Sequence, residues 1–338
     1  MTMDLINKLM NVVAPPMALV ALFLLVPPLY LYKLLLSFLY SLFPEDLTHK
    51  VVLITGASSG IGEQLAYEYA KKGAALVLVA RREGSLQEVA ERARDLGLPD
   101  VLVIPADVAK PEDCQRFVGA VIAHFGRRKW STNIVDHLVN NAGIANVCLF
   151  DEAPDVTKFT PVMDVNFWGS VYPTHYALSH LKKTKGRIVV NSSASGWLPL
   201  PRQSFYNVSN LKHSFLRFNV GITIATPSFI ESEMTKGKFL TKDGRMEINQ
   251  ELRDYAAECA RCMVEAARRG ERRVTVPAWF RVLHLWWVFA PEVFDWCFRV
   301  LYDVNFWGSV YPTHFALPHL EITRGRIVGV ASFASYMF

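Results

Sequence analysis

Residues 51–63 read VVLITGASSGIGE. An aliphatic, β-branched run leads into a glycine turn, and EQLAYEYAKKG then continues with helical spacing. Gly56, Gly60 and Gly62 allow the tight turn and let the backbone approach a pyrophosphate at the amino end of that helix, with Ser58, Ser59 and Ile61 completing the loop. A glycine motif alone is a weak signal. Here a strand precedes it, a helix follows it, and a second apolar strand, ALVLVA, runs from Ala75 to Ala80. That strand ends in Arg81 and Arg82. An acidic residue at this point would hydrogen-bond the ribose hydroxyls of NAD. Paired arginines instead offer bidentate donors to a 2′-phosphate, which favours NADP; the alternative is two solvated loop arginines.

The alternation continues outward. VLVIPADV supplies a third strand with Asp107 and Val108 at its end, and NIVDHLVNNAG a fourth, closing on Asn140, Asn141, Ala142 and Gly143. GRIVVNSS (186–193) and GITIAT (221–226) read as the fifth and sixth strands. Strands alternating with helices imply an α/β fold, a Rossmann-type doubly wound parallel sheet with helices on both faces.

Composition sets the remaining bounds. The 338 residues are 51% apolar and 20% charged, with a net charge of +5. Lysine and arginine are dispersed, which gives no support to a nucleic-acid partner. The five cysteines are scattered and odd in number, consistent with a reducing compartment. Cys259 and Cys262 form a single C-x-x-C on an amphipathic helix. With no second pair to complete a zinc site, they read as core packing, and no metal site is expected.

The amino end is different. VVAPPMALVALFLLVPPLYLY (12–32) has no charge, and LLLSFLYSLF (34–43) follows Lys33. Asp4 and Lys8, the length of the run and the missing small-residue cleavage site speak against a secretory signal. A single transmembrane helix satisfies the length requirement. Pro27 and Pro28 interrupt it, however, and favour a bent or hairpin anchor over residues 11–43 that dips into lipid and returns.

Together, TGASSGIG, ADV, NNAG, Asn166 in DVNFWG, and Ser193 with Tyr206 resemble the short-chain dehydrogenase/reductase family. MDLINKLMNVVAPP with its proline pairs, PAWFRV and IESEMTKGKFL narrow the likeness to the steroleosins, oil-body relatives of 11β-hydroxysteroid dehydrogenase. The likeness covers residues 3 to about 302. It implies an NADP-dependent oxidoreductase acting on a hydroxysteroid or sterol at a lipid droplet or the endoplasmic reticulum membrane, with the catalytic part cytosolic. It also implies that Tyr206 exchanges a proton with the substrate oxygen, that Ser193 hydrogen-bonds that oxygen, and that Asn166 holds a water of a proton relay. The divisions that follow are an anchor (1–46), an NADP-binding and catalytic domain (47–302), and a terminal segment (303–338).

The chain departs from this pattern in YNVSNLK (206–212). The family carries a lysine four residues after the tyrosine, where it lowers the phenol pKa and grips the nicotinamide ribose. Here that position is Asn210, able to hydrogen-bond a ribose but uncharged. Lys212 is six places from Tyr206, and at about 100° per residue it falls on another helix face. Only fourteen residues lie between Tyr206 and Gly221, a short helix that weakens the homodimer face implied by the resemblance. Ser228 replaces a usual glycine, RRKWSTNIV (127–135) reads as an insertion, and ELRDYAAEC joins abruptly. DVNFWGSVYPTH recurs at 303–314 with GRIV at 325–328, so residues 303–338 form a partial duplicate of 164–199 that stops before any counterpart of Tyr206. These departures set a second expectation beside the first, a droplet-coat or sterol-binding protein that retains the fold without turnover.

Overall fold

A computed structural model describes residues 2–97, 100–126, 135–146, 153, 155–197, 203–210, 220–228, 239–240, 254–290, 292–293 and 296–297. Its centre is a parallel sheet of seven strands: β1 (Val51–Thr55), β2 (Ala75–Ala80), β3 (Val101–Pro105), β4 (His137–Asn140), β6 (Arg187–Asn191), β7 (Gly221–Pro227) and β9 (Arg273–Val276), in the order β3-β2-β1-β4-β6-β7-β9. A small parallel pair, β5 (Ala145–Asn146) and β8 (Phe239–Leu240), lies apart from it. The six strands read from the sequence are present, and β9 adds a seventh at the edge.

The strands are near-continuous apolar runs because both faces of the sheet are covered. Val52 and Ile54 face one layer, formed by α2 (Gly60–Ala70), α3 (Glu83–Asp95) and α8 (Asp254–Arg268). Val51 and Leu53 face the other, formed by α4 (Pro111–Phe125) and α6 (Gly169–Thr184). The elements complete with α5 (Thr160–Met163), α7 (Ser204–Ser209) and α9 (Arg281–Phe289). Cys259 is buried in the α2/α3/α8 layer, its thiol pushed up to about 12 by burial, and Cys262 packs beside it, as expected of core cysteines.

The apolar amino end forms one continuous helix, α1 (Thr2–Leu42), with Pro15, Pro16, Pro27 and Pro28 inside it. The expected hairpin is not formed. Each proline removes a helical hydrogen bond, yet the helix runs through all four of them without a turn. Within Ile6–Leu42 the most apolar run of 18 residues has a mean hydropathy of 2.3, and none of that run is buried. The stretch passes the length and composition test for a membrane-crossing helix, which is a candidate anchor.

From α1 the chain enters the domain at the amino ends of the strands. Glu45 is tied to α8 through both of its backbone groups: its N–H donates to Arg268 O (2.9 Å), and its carbonyl accepts from the side-chain Nε of Arg268 (3.0 Å). Its carboxylate reaches the fully buried His137 (3.3 Å), whose other ring nitrogen meets the Tyr69 hydroxyl at 3.1 Å. Lys212, residues 127–134 of the insertion, the chain from 211 to 219 and the duplicate at 303–338 lie outside the described residues.

At Gly62 an added Cβ would lie 2.1 Å from the Gly56 carbonyl oxygen and 2.5 Å from Asn141 Nδ2. Gly62→Ala should therefore destabilise the protein by about 1–3 kcal/mol. Gly84→Ala, in α3 with nothing within 4 Å of the added methyl, should stay within about 1 kcal/mol of wild type on the stabilising side. Chemical denaturation of both variants measures the contrast.

Candidate active site

At the carboxyl end of β1 the chain turns through Gly56, whose φ of 65° is left-handed. A Cβ there would stand 2.7 Å from Ala142 Cα. The turn is tied to β4 by two side chains. Asn141 Nδ2 donates to Thr55 O (3.1 Å) and Gly56 O (3.2 Å), and its Oδ1 accepts from Asn191 Nδ2 (2.8 Å). Thr55 Oγ1 accepts from the N–H groups of Asn141 and Ala142 and donates to Val139 O. No side chain caps the start of α2, so its first-turn N–H groups are left for a ligand.

These elements enclose a cavity. Among the residues expected to hold the cofactor, Gly56, Ser58, Ser59, Gly60, Ile61, Gly62, Arg81, Arg82, Asp107, Val108, Ala142 and Gly143 line it. Arg82 lies across the glycine turn, donating to Ser59 Oγ at 2.8 Å and Ser58 Oγ at 3.3 Å. Asp107 shapes the opposite wall: its carboxylate accepts from Ala109 N–H, and its own N–H donates to Asp113. Asn141 and Asn191 also line the cavity, and the motif reading did not single out either side chain. Asn140 is placed elsewhere. It is buried and turned to α6, donating to Thr174 Oγ1 (2.9 Å) and Ser170 O (3.3 Å).

Ser193 and Tyr206 do come together. Ser193 ends the segment after β6, with Oγ accepting from Ser195 N–H (3.2 Å). Tyr206 sits in α7, where the polar side chains of Ser193 and Asn210 both act to lower its phenol pKa. Asn210 is 3% exposed and ends α7: Nδ2 donates to Tyr206 O (2.9 Å), and its carbonyl accepts from Ser192 Oγ (2.7 Å). It is not among the residues lining the cavity. Asn166 lies in a π-turn (Asp164–Trp168), 2% exposed. Its Oδ1 accepts from Ile144 N–H (2.8 Å), while Nδ2 donates to Ile144 O and Ser209 Oγ (both 2.9 Å). Both amide hydrogens are thus taken by protein groups, so the side chain acts here as a bracket and has no donor left for the water expected of it.

A family model described as short chain dehydrogenase matches residues 50–243. The chain belongs to the short-chain dehydrogenase family. It is 52% identical over 317 residues to 11-beta-hydroxysteroid dehydrogenase A of Sesamum indicum, which covers 89% of each chain. It is 47% identical over 319 residues to 11-beta-hydroxysteroid dehydrogenase 1A of Arabidopsis thaliana, again 89% of each. Among solved structures it resembles an alcohol dehydrogenase of the archaeon Thermococcus sibiricus complexed with 5-hydroxy-NADP (TM-score 0.55, 26% identity, 68% of this chain and 96% of that one). A Burkholderia phymatum short chain dehydrogenase/reductase in complex with NAD shares the fold (TM-score 0.59, 23% identity, 70% and 92%).

As a short-chain dehydrogenase the protein is an oxidoreductase that binds a nicotinamide cofactor, and its residues fit one. The Gly56–Gly62 cradle leaves no room for a Cβ, and the uncapped start of α2 faces the cavity wall formed by the glycine turn. The nicotinamide ring supplies or accepts the hydride; the chain's own residues handle the proton. Enclosure pushes the Tyr206 phenol above its ordinary pKa, and the hydrogen bonds from Ser193 and Asn210 pull it back only in part. Among the described residues no cation contributes. A tyrosine is uncharged when protonated, so this environment favours the neutral phenol of Tyr206. A phenol held in this form can donate a proton to a carbonyl oxygen, whereas accepting one from an alcohol requires alkali.

Asn210→Lys would place a cation at i+4 on the tyrosine's helix. The phenol pKa should fall, moving the alkaline rise of the oxidation direction down by roughly 1–3 pH units. The reduction direction, which needs the protonated phenol, should be lost at correspondingly lower pH. Rate profiles in both directions check this; unmoved limbs in a folded variant would assign the proton to another group.

Proposed function

We propose that this short-chain dehydrogenase interconverts a hydroxyl and a keto group on a steroid or sterol, using NADP(H), while α1 holds it at a lipid droplet or the endoplasmic reticulum membrane with the catalytic domain on the cytosolic side. The observation that carries the cofactor choice is Arg82. Its guanidinium bridges Ser58 and Ser59 on the glycine turn, beside the end of β2 where an adenosine ribose would lie. A 2′-phosphate at that point would meet a planar, bidentate donor with two hydroxyls beside it. The substrate class rests on relatives named 11-beta-hydroxysteroid dehydrogenase that match along about nine-tenths of their length. The lipid location rests on the apolar, unburied Ile6–Leu42 stretch. The protonated phenol of Tyr206 makes ketone reduction the direction served at neutral pH.

A second reading has an observation of its own. Asn210, buried and hydrogen-bonded to the tyrosine's carbonyl, stands where the family places a cation. A sterol-binding or coat protein with slow turnover would retain everything else described.

Replacing both Arg81 and Arg82 by Ala should weaken NADPH binding at least tenfold more than NADH binding, read by quenching of protein fluorescence. Equal losses would defeat the 2′-phosphate assignment. A chain lacking residues 2–42 should fail to float with lipid droplets or microsomes while its NADPH affinity stays unchanged. Flotation of the shortened chain would show that α1 is not the anchor. Reduction of a ketosteroid by the full chain, assayed beside Tyr206→Phe, separates the enzyme from the coat protein.

A further inference from the structure

The helix that carries Tyr206 is six residues long, too short to hold a side chain in place by its own hydrogen bonds. Its starting residue, Gln203, makes no side-chain cap. Tyr206 occupies the third helical position, where an N–H group is normally satisfied by such a cap. Here the acceptor comes from sixty residues earlier in the chain: Tyr206 N–H donates to Asn146 Oδ1 at 3.0 Å. We propose that Asn146 is a positioning residue for the reaction, fixing Tyr206 by capping its helix from outside.

Three features support this. Asn146 is 1% exposed, and its Nδ2 has no partner among the described residues. A buried amide with an idle donor is unfavourable, and the bond made by its oxygen explains what the residue is for. Its backbone is held in turn, since β5 pairs with β8 in the register Asn146 to Leu240. Finally, the bond closes a ring. Tyr206 O accepts from Ser209 Oγ (2.8 Å), Ser209 Oγ accepts from Asn166 Nδ2 (2.9 Å), and Asn166 grips both backbone groups of Ile144, two residues before Asn146. Tyr206 is thereby held at its N–H and at its carbonyl by the same loop. Nothing in the ring is charged, so it survives the replacement of the family cation by Asn210.

The test compares two variants of the full chain in detergent. Asn146→Leu keeps the number of side-chain heavy atoms and removes the acceptor; Asn146→Asp keeps an acceptor oxygen and exchanges the idle donor for a carboxyl group that burial favours in its neutral form, and it is assayed over a pH series that includes that form. Each is measured for ketosteroid reduction, for NADPH affinity, and for the titration of Tyr206 by NMR of ring-labelled tyrosine, the signal identified with Tyr206→Phe. Asn146→Leu should lower kcat by about 10- to 100-fold, as expected for a reacting group misplaced by around 1 Å, with NADPH affinity within about twofold. Its phenol should titrate at higher pH, because displacement breaks the bonds from Ser193 and Asn210. Asn146→Asp should keep kcat within severalfold of wild type. Wild-type kcat and titration in folded Asn146→Leu would overturn the proposal, as would Asn146→Asp failing in the same way as Asn146→Leu. If Asn146→Leu does not fold, Asn146→Ser, too short to reach the Tyr206 N–H, takes its place with the same criteria. Should the wild-type chain lack turnover, the NMR titration still decides the role of Asn146.

Discussion

The side chain of Asn141 holds the centre of the molecule together. Its amide nitrogen binds the last carbonyl of β1 and the first of the glycine turn, and its oxygen takes a hydrogen bond from Asn191 at the end of β6. This happens between β1 and β4, where the strand order reverses and where open α/β sheets bind their ligands. The glycines are consequences of that contact: Gly62 lies against the same amide and the Gly56 carbonyl, so any side chain at either position would push the turn off the strand. Asn191 then leads within two residues to Ser193, so the dinucleotide end and the reacting end share one hydrogen-bonded support.

Local patterns announced the parts that depend on neighbours in sequence. The apolar runs VVLIT and ALVLVA, the glycine turn and the cysteines of α8 were all legible because periodicity and turn chemistry are short-range properties. The two asparagines of NNAG show where such reading stops. A strand sends successive side chains to opposite faces, so Asn140 faces α6 and Asn141 the glycine turn, and only the fold says which face is the cavity. Asn146 and Ser192 gave no signal, because each partner lies on an element brought near by the fold. β9 was missed because RVTV is short and borders a polar stretch. The proline pairs misled for a different reason, since a long apolar helix can run through such residues and continue past them.

Replacing the family lysine by Asn210 changes the electrostatics more than the geometry. The amide donates to the helix carbonyl of Tyr206, and with Ser193 it acts to lower the phenol pKa. What is gone is the charge that would let the phenol ionise inside an enclosed site. Two functions often attributed to a single lysine, orienting the tyrosine and acidifying it, are separable here. Neutral groups do the first, and among the described residues none does the second.

The length of α1 has a mechanical consequence. Its 41 residues, at about 1.5 Å each, make a rod of roughly 60 Å, twice the ~30 Å depth of a bilayer's hydrocarbon. A straight rod of that length would need to lean about 60° from the membrane normal to stay within one bilayer, outside the usual 0–40° range of spanning helices. The mismatch grows as the membrane thins. The fit of the segment to a membrane would therefore depend on the thickness of that membrane.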